Sequence, residues 1–391
     1  MTMAQIAEAA HSTKSAERMA WLALALTPKL GPRRIVRAVN AVGSAAKIFD
    51  LRLTELEGLQ FPAESAQFIA DGQARSAADQ QMEDLLKTGG DFLTFADEDY
   101  PERLREIFDP PAILWLRGDA KLLAAPSIAV VGTRHPTPYG SGMAEMLSRD
   151  LAHHGLLILS GMARGIDTCA HKGALSAKRP TVAVWGTGID VIYPKENKSL
   201  AEQIVAGGGA IVSELPLTTF PAPQNFPKRN RIISGMSVGV LVVEAAEYSG
   251  TRVTARCALE QNRDVYAVPG NATTKNAWGP NTLIKQGAKL TATWEDVWED
   301  MPSQIRRLIE SREGLASNEA PAASLFQEEP LSPHEAQVLN VLRPDEALQI
   351  DEIMERLEAE LTSPEIFTAL FELELAGRVR QLPGKNYVKS F

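Results

Sequence analysis

Three cations and an asparagine occupy four consecutive positions in the middle of the chain, in the order Lys228, Arg229, Asn230 and Arg231. Pro227 precedes them, and proline is favoured in the first turn of a helix because its missing N–H group would have no partner there. A helix that begins with cations opposes its own dipole, whose positive end favours anions. We therefore expect a negatively charged group such as a phosphate to complete this site. The alternative is a basic turn that only contacts solvent.

A second candidate anion site is the glycine-containing segment Ser160-Gly-Met-Ala-Arg-Gly165. Its two glycines allow close approach to the backbone, and N–H groups at the start of the following helix can hold a phosphate. Asp167 is expected to cap this loop or to hydrogen-bond within it rather than to catalyse a reaction. His171 lies four residues further on, so both side chains would share one helix face. Because no nucleophile accompanies them, we interpret them as a structural pair.

The sequence lacks the motifs of common nucleotide-dependent enzymes and hydrolases. The patterns GxxxxGK[ST] and HExxH are absent, and the segment Gly132-Thr-Arg134 does not continue as GxGxxG. Cys169 and Cys257 are far apart and form no CxxC motif, so neither a disulfide framework nor a zinc site is indicated. Phosphate-binding segments without an acid–base set favour binding over catalysis, and they call for no cofactor and no metal.

Charge is distributed unevenly along the chain, whose net charge is −9. Residues 1–124 contain 14 Lys or Arg and 18 Asp or Glu (net −4), and residues 125–290 contain 17 and 11 (net +6). Residues 291–391 contain 9 and 20 (net −11). Positive charge is therefore concentrated where both candidate anion sites lie, and the acidic flanks would restrict a nucleic acid to one face.

Length and composition indicate a soluble protein of several domains. A chain of 391 residues is too long for one compact core and suggests two or three domains. Its 45% hydrophobic and 23% charged residues are typical of globular proteins. No apolar run approaches the roughly 20 residues of a membrane span, and nothing at the N-terminus indicates export. We expect a cytoplasmic protein that does not enter a membrane.

Short apolar runs alternate with helical patterns over residues 91–305. The runs interpreted as strands are Phe92–Phe95, Ala112–Leu116, Ile128–Gly132, Leu156–Ser160, Thr181–Gly186, Ala210–Ser213, Val238–Val243 and Val265–Val268. The intervening helical patterns include 139–154, 166–177, 196–206 and 252–262. Such alternation indicates a parallel sheet covered on both faces. We predict an α/β core with a Rossmann-like, doubly wound, mostly parallel sheet.

Polar clusters follow the ends of these predicted strands. They include Gly132-Thr-Arg134, the Ser160–Gly165 segment, Glu214, Glu244 and Ser249-Gly-Thr-Arg252. Ligands of open α/β sheets bind beyond the carboxyl ends of the strands. We therefore expect these clusters to converge on one edge of the sheet.

The two ends of the chain predict smaller modules. Residues 1–90 indicate a helical, SAM-like domain, in which Gly31-Pro-Arg-Arg34 could face a phosphate backbone; a plain packing domain is the alternative. Residues 306–330 are expected to be a linker. Residues 331–391, with three helical patterns and a hairpin, suggest a winged-helix-like domain. Its third helical pattern, 363–376, has no Lys or Arg, which favours a protein-contact or regulatory module over a duplex reader.

Seven segments in this order resemble the DNA-processing protein A (DprA/Smf) family of bacteria. They are Val131–Arg134, Leu159–His171, Tyr193–Pro194, Ser213–Glu214, Phe226–Gly235, Ser249–Ala255 and Val268–Gly270. Thr133 stands where the family usually carries Ser or Ala, and this leaves Arg134 in register. The resemblance implies a Rossmann-like core that binds single-stranded DNA, forms a homodimer and delivers the strand to the recombinase RecA, as in natural transformation.

The residues expected to contact DNA combine the resemblance with the strand-end clusters. They are Gly132, Thr133, Arg134, Ser160, Gly161, Arg164, Gly165, Phe226, Lys228, Arg229, Asn230, Arg231 and Arg252. Single-strand binders join a cationic groove to aromatic faces for base stacking, and Phe226 would supply such a face, with Phe220 as a second candidate. The alternative for Phe226 is core packing under the loop. One of the two arginines at positions 229 and 231 is expected to brace the loop through Glu214 or Glu244.

A different function class remains open at this point. A nucleotide-processing enzyme on a related scaffold, such as a nucleoside-monophosphate hydrolase, would use Asp167, Glu244 and His171 as acid–base groups.

Overall fold

The computed structural model describes residues 3–247, 249–316, 331–344, 346–358 and 360–389. Residues 3–88 contain only helices, as predicted for this region. They are α1 (Met3–Ala25), α2 (Pro32–Val42), α3 (Ala45–Ile48), α4 (Leu53–Gly58), α5 (Ala63–Ala70) and α6 (Gln73–Thr88). Their assignment as a SAM-like domain stays a prediction.

The N-terminal helices pack on one face of the central sheet. Trp21 of α1 is buried in the same apolar cluster as Trp115 and Trp185 of the sheet domain. Arg33, in the glycine turn that was expected to face phosphates, places its guanidinium carbon 3.6 Å from the centre of the Phe108 ring. The helical domain is therefore anchored to the core, and one of its two candidate phosphate contacts is already stacked on an aromatic ring.

A sheet of nine strands forms the core; eight of them agree with the predicted strands, and the short strand Lys289–Leu290 was not predicted. The strands are β1 (Asp91–Thr94), β2 (Ile113–Gly118), β3 (Ser127–Val131), β4 (Leu157–Ser160), β5 (Thr181–Val184), β6 (Ala210–Ser213), β7 (Gly239–Val242), β8 (Asp264–Ala267) and β9 (Lys289–Leu290). Their order is β1-β2-β6-β5-β4-β3-β7-β8-β9. The seven from β6 to β9 are parallel, and β1 and β2 add an antiparallel edge. The predicted mostly parallel, doubly wound sheet is confirmed.

Helices cover both faces of this sheet. They are α7 (Glu102–Arg105), α8 (Pro138–His153), α9 (Ile166–Ser176), α10 (Lys198–Ala206), α11 (Asn225–Met236), α12 (Thr251–Glu260), α13 (Trp278–Lys285), α14 (Trp294–Asp300) and α15 (Ser303–Ala316). Met143 of α8 and Ala170 of α9 pack against Ile128 and Ile158 on one face. Ile232 of α11 and other apolar side chains of a second cluster pack against the opposite face of the sheet. The strands are buried because apolar helices lie on both sides, which explains their uninterrupted apolar sequences.

The expected linker over 306–330 is wrong in its first part. Helix α15 continues through 306–316, because Ile309 is buried in the cluster that also contains α8 and α14. Residues 317–330, the remainder of that prediction, lie outside the described residues.

The C-terminal residues form the predicted three helices and hairpin. The elements are α16 (Pro333–Val341), β10 (Leu348–Gln349), α17 (Ile350–Leu357), α18 (Ser363–Leu375), β11 (Val379–Leu382) and β12 (Asn386–Lys389). The strands form a separate antiparallel sheet in the order β10-β12-β11. Throughout the described part of the chain, every helix is too short or too polar to cross a membrane.

Candidate nucleic-acid interface

The strand order reverses between β3 and β7, and the loops after these two strands meet there. The Thr133 N–H group donates a hydrogen bond of 2.7 Å to the carbonyl oxygen of Glu244, which follows β7. The Ile166 N–H group, at the start of α9, donates to the Thr133 carbonyl oxygen at 3.1 Å. Three loops from distant parts of the sequence are thus joined at the carboxyl edge of the sheet. A crevice at such a switch point is the usual ligand position in open α/β sheets.

A groove of about 670 Å³ opens at this edge. Its walls come from the loop after β3, the loop after β4, the start of α11 and the start of α12. Polar and aromatic residues that line it include Thr133, Arg134, His135, Tyr193, Phe226, Asn230, Ser249 and Thr251. The predicted convergence of the strand-end clusters is therefore confirmed for the clusters that follow β3, β4 and β7.

The loop between β4 and α9 is held from inside the protein. The Asp167 carboxylate accepts hydrogen bonds from the Gly161 and Ala163 N–H groups, at 3.1 and 3.2 Å. The expectation that Asp167 hydrogen-bonds within the loop is confirmed. These two N–H groups are consequently unavailable to a phosphate, and the expected cradle is reduced to the outer part of the loop.

The expected pairing of Asp167 with His171 is wrong. The Nδ1 atom of His171 lies 2.8 Å from the Thr181 hydroxyl, which itself donates to the Ile158 carbonyl oxygen at 2.7 Å. His171 is completely buried, and burial, followed by the nearby Arg229 charge, lowers its pKa to about 3. Helical spacing placed the two residues on one face, but the strand β5 provides a nearer partner for the imidazole.

Arg229 lies beneath the loop and only 7% of its surface is exposed. Its guanidinium donates to the carbonyl oxygen of Gly161 at 2.8 Å and to that of Val184. Burial lowers the pKa of Arg229 to about 10, while Asp167 opposes this shift. Burial also raises the pKa of Asp167, and the Arg229 charge offsets part of the rise. This arginine therefore positions the Gly161 loop and does not present its charge to solvent.

Arg231 braces the start of α11 in the way expected for one of the two arginines. Its Nη2 atom lies 2.5 and 2.6 Å from the two Glu214 carboxylate oxygens, and its Nε lies 3.1 Å from Asp109. The predicted brace through Glu214 is confirmed. Burial raises the pKa of Glu214, and the Arg231 charge counteracts the rise.

Helix α11 begins at Asn225, so Pro227 does lie in its first turn. The four consecutive polar residues occupy its fourth to seventh positions rather than its start. The helix dipole acts mainly within the first turn, so it adds little at Lys228 and beyond. The anion expected from the dipole argument is not required by this geometry.

Arg134 is the exposed cation nearest to the aromatic wall of the groove. Its guanidinium carbon lies 5.7 Å from the centre of the Phe226 ring. The Tyr193 ring lies 5.6 Å from Phe226, with the two planes tilted by 35°. Phe226 also contacts the backbone at Gly186, where an added Cβ would come within 2.8 Å of the ring. Phe226 therefore packs on the loop, as the alternative interpretation expected, and also lines the groove. Base stacking on its ring stays a prediction.

The other expected residues fall into three groups by exposure. Ser160 and Gly161 are buried, and the Ser160 hydroxyl donates to the Val130 carbonyl oxygen at 2.6 Å. Gly132, Thr133, Gly165, Asn230 and Arg231 are half-buried, whereas Arg134, Arg164, Lys228 and Arg252 are exposed.

Four of the expected cations lie outside the groove described above, namely Arg164, Lys228, Arg231 and Arg252. Arg164 pairs with Glu196 at 2.5 Å and lines a small pocket that adjoins the groove. Lys228 and Arg231 line a separate depression on the other side of α11. The structure therefore brings Arg134 and Phe226 together and turns Lys228 away from them.

Several lining residues were not among the expected contacts. Tyr193, Ser249 and Thr251 lie in segments that carried the family resemblance, so the sequence held a signal for them. Trp278 gave no such signal. Its ring lies 5.6 Å from the guanidinium carbon of Arg252, and neither residue of this pair lines the groove itself.

Comparison with known proteins gives consistent matches over the same regions. A family model described as DNA recombination-mediator protein A matches residues 91–302, and a model described as DprA winged helix domain matches residues 319–385. The chain is 42% identical over 295 residues to the protein Smf of Escherichia coli (strain K12), covering 75% of each chain. It is 43% identical over 213 residues to the DNA processing protein DprA of Bacillus subtilis (strain 168), covering 54% of this chain and 71% of that protein.

A solved structure is similar as well. The X-ray structure of DNA processing protein A from Streptococcus pneumoniae matches with a TM-score of 0.62 and 32% identity, over 71% of this chain and 96% of that one.

Proposed function

This chain belongs to the family described as DNA recombination-mediator protein A, and from that membership we propose that its groove binds single-stranded DNA. The observation that carries the proposal is the position of Arg134 beside the Phe226 ring, with the Tyr193 ring also 5.6 Å from Phe226. A cation beside two aromatic faces suits a nucleotide chain, because the phosphate can meet the guanidinium while a base stacks on a ring. In a duplex the base faces are already stacked, so a single strand is the better ligand.

The proposed DNA contacts divide into direct and positioning residues. Direct contact is assigned to the groove-lining residues Gly132, Thr133, Arg134, Phe226 and Asn230 and to the exposed Arg164 and Arg252 near the groove. Gly165 precedes the first residue of α9 and Lys228 faces the depression on the far side of α11, so neither is assigned a contact in the groove. Ser160, Gly161, Arg229 and Arg231 act through the loop and the helix that they hold, because their polar groups are engaged inside the protein.

The proposed function is binding rather than catalysis. Glu244 accepts hydrogen bonds from the Thr137 N–H group and hydroxyl, at 2.9 and 2.5 Å, and Asp167 is occupied by its own loop. His171 is completely buried and cannot reach a substrate. These contacts disfavour the nucleotide-hydrolase alternative. Incubation with a panel of nucleotides, followed by chromatography, tests the hydrolase alternative. Turnover that disappears in Glu244→Gln would make hydrolysis the better-supported function.

We further propose that the chain acts as a homodimer in the cytoplasm and loads the recombinase RecA onto the bound strand, as in natural transformation. The support is the description of the family as a recombination mediator. RecA ATPase activity on single strands precoated with a single-strand-binding protein should rise when the chain is added. Light scattering should give twice the mass of one chain. No rise in ATPase activity would remove the loading role, and a monomer mass would remove the dimer.

Fluorescence anisotropy with an oligo-deoxythymidine tests the DNA proposal. Arg134→Ala should weaken binding roughly tenfold, about 1.4 kcal/mol, because it removes the charged contact beside Phe226. Lys172→Ala, which removes an exposed cation from α9 outside the groove, is the matched control and should bind normally. Equal affinity of the wild type and Arg134→Ala, or no binding at low salt, would refute the proposal.

A further inference from the structure

Helix α18 exposes an apolar stripe on the side that faces away from its own domain. Phe367, Phe371 and Leu375 follow one another at intervals of four residues and therefore share one face of the helix. Their exposed fractions are 51%, 62% and 74%. The opposite face is already used, because residues such as Ile366 and Leu370 are buried in the core of the domain. The core of this domain therefore forms without the three side chains of the stripe.

Carboxylates flank the stripe on both sides. At 100° per residue, Glu372 and Glu365 lie on one flank and Glu374 lies on the other. The helix contains no Lys or Arg. Residues 331–391 as a whole contain 6 Lys or Arg and 11 Asp or Glu, a net charge of −5. The apolar surface is therefore bordered by carboxylates that no Lys or Arg of the same helix offsets, and of these Glu365 also accepts a hydrogen bond from the Thr362 N–H group.

The cations of this domain are placed elsewhere. Arg378 and Arg380 belong to the hairpin of β11 and β12, and Arg380 approaches Glu145 of α8 at 3.4 Å. The domain thus has a basic hairpin next to the core and an acidic, apolar helix that stays uncovered among the described residues.

We propose that the α18 stripe (Phe367, Phe371 and Leu375 with the flanking glutamates) docks a basic amphipathic helix of a partner protein. An apolar face with carboxylates on both borders complements a helix that carries Leu-like residues between Lys or Arg residues. A second copy of α18 fits poorly, since antiparallel pairing would set glutamates against glutamates. Duplex DNA is repelled by the same charges. This inference is independent of single-strand binding in the groove.

The size of the stripe sets the kind of interaction. Three side chains spread over nine residues cover about 12 Å of helix, which matches the spacing of anchors in helix-in-groove recognition. Such a surface is small compared with a stable interface, so the interaction is transient and salt-sensitive.

Binding of synthetic helical peptides to the full chain tests this proposal. One peptide has a leucine stripe flanked by lysines, and its counterpart has glutamates in place of the lysines. The lysine peptide should bind at least tenfold more tightly than its counterpart, and the difference should shrink in high salt. Phe371→Ser should lower the affinity for the lysine peptide at least tenfold. Leu86→Ser, which alters a residue 67% exposed on α6, is the matched control and should leave it unchanged.

Charge reversal distinguishes specific docking from nonspecific hydrophobic binding. Glu372→Lys combined with Glu374→Lys should invert the preference, so that the glutamate peptide binds more tightly. Equal binding of both peptides to the wild type, or an unchanged affinity in Phe371→Ser, would overturn the proposal. A fall in oligomeric mass in Phe371→Ser, measured by sedimentation, would identify a second copy as the occupant and would also overturn it. Loss of duplex DNA binding in Phe371→Ser would identify duplex DNA as the ligand of the stripe and would likewise overturn the proposal.

Discussion

At the scale of single residues, the loop beneath the groove is held by two opposite charges. Asp167 binds the N–H groups of Gly161 and Ala163, and Arg229 binds the Gly161 carbonyl oxygen. The peptide groups at Gly161 are therefore fixed from both sides by buried side chains. Such a loop keeps its shape before any ligand arrives, which reduces the entropy lost on binding.

Removal of one of these charges should be far more damaging than removal of both. Arg229→Met leaves Asp167 buried without a cation, and we expect a loss of about 3–5 kcal/mol in the free energy of unfolding. Adding Asp167→Asn should restore part of that loss, because the uncompensated charge disappears. Urea titrations of the two single variants and the double variant measure this coupling. Strictly additive losses would show that the two residues act independently.

His171 should make stability depend on pH below neutrality. Its pKa in the folded chain is lowered to about 3 by burial, whereas an exposed histidine titrates near about 6.5. Below pH of about 6.5 the unfolded chain binds a proton that the folded chain does not. The free energy of unfolding should therefore fall by about 1.4 kcal/mol per pH unit from this group, until the pH approaches its folded pKa.

His171→Asn provides the control for this dependence, since an amide can still donate to Thr181 but does not titrate. Urea unfolding at neutral and mildly acidic pH should show a shallower pH slope in the variant, whatever its absolute stability. An identical slope in both proteins would assign the acid sensitivity to other groups.

At the scale of elements, the rotation of α11 decides which cations face the groove. Ile232, Ile233 and Met236 are buried and fix one side of the helix against the sheet. Arg229 lies three and four residues before the two isoleucines, so it falls on the same buried side. Lys228 is turned towards the depression on the far side of the helix. Consecutive cations in the sequence thus acquire different roles, and the spacing to the isoleucines was the signal that identified the buried one.

The first turn of α11 presents Phe226 to the groove, and its aromatic face should matter more than its bulk. Phe226→Ala should weaken oligo-deoxythymidine binding by about 1–3 kcal/mol, the range for loss of one stacked base. Phe226→Leu keeps an apolar contact with the loop at Gly186 but has no ring, so we expect a similar loss. Anisotropy titrations measure both. Full affinity in Phe226→Leu would mean that packing, not stacking, is the role of this residue.

At the scale of the whole molecule, a net negative chain carries a locally positive sheet edge. Residues 125–290 have a net charge of +6, whereas residues 1–124 and 291–391 have −4 and −11. Repulsion from the acidic regions restricts a polyanion to the groove side without weakening the contacts made there.

Binding should therefore weaken as salt rises, in spite of the overall charge of −9. Each phosphate neutralised in a single strand contributes about −0.7 to the slope of log K against log salt. Contacts to about three phosphates predict a slope near −2, and Arg134→Ala should make it less steep by about 0.7. Anisotropy titrations across a range of sodium chloride concentrations measure the slope. A slope near zero would show that phosphate contacts do not drive binding.

Residue identity and spacing were enough to predict most helices and strands and the types of residue at the interface. Eight of the nine core strands were predictable because burial on both faces leaves an uninterrupted apolar run, as in Ser127–Val131. The charge map and the family segments likewise follow from residue identity alone. The bounds of the helix at 303–316 were missed because polar residues of the expected linker concealed the packing of Ile309.

Only the tertiary structure decided the strand order, the partners of buried polar groups and the accessibility of each cation. Periodicity reports how deeply an element is buried, but not which neighbour covers it. His171 therefore pairs with Thr181 rather than with Asp167, and Arg229, which was expected among the DNA contacts, lies buried under the Gly161 loop. Both outcomes depend on contacts between residues 10 and 68 positions apart, which are set when the helices dock on the sheet.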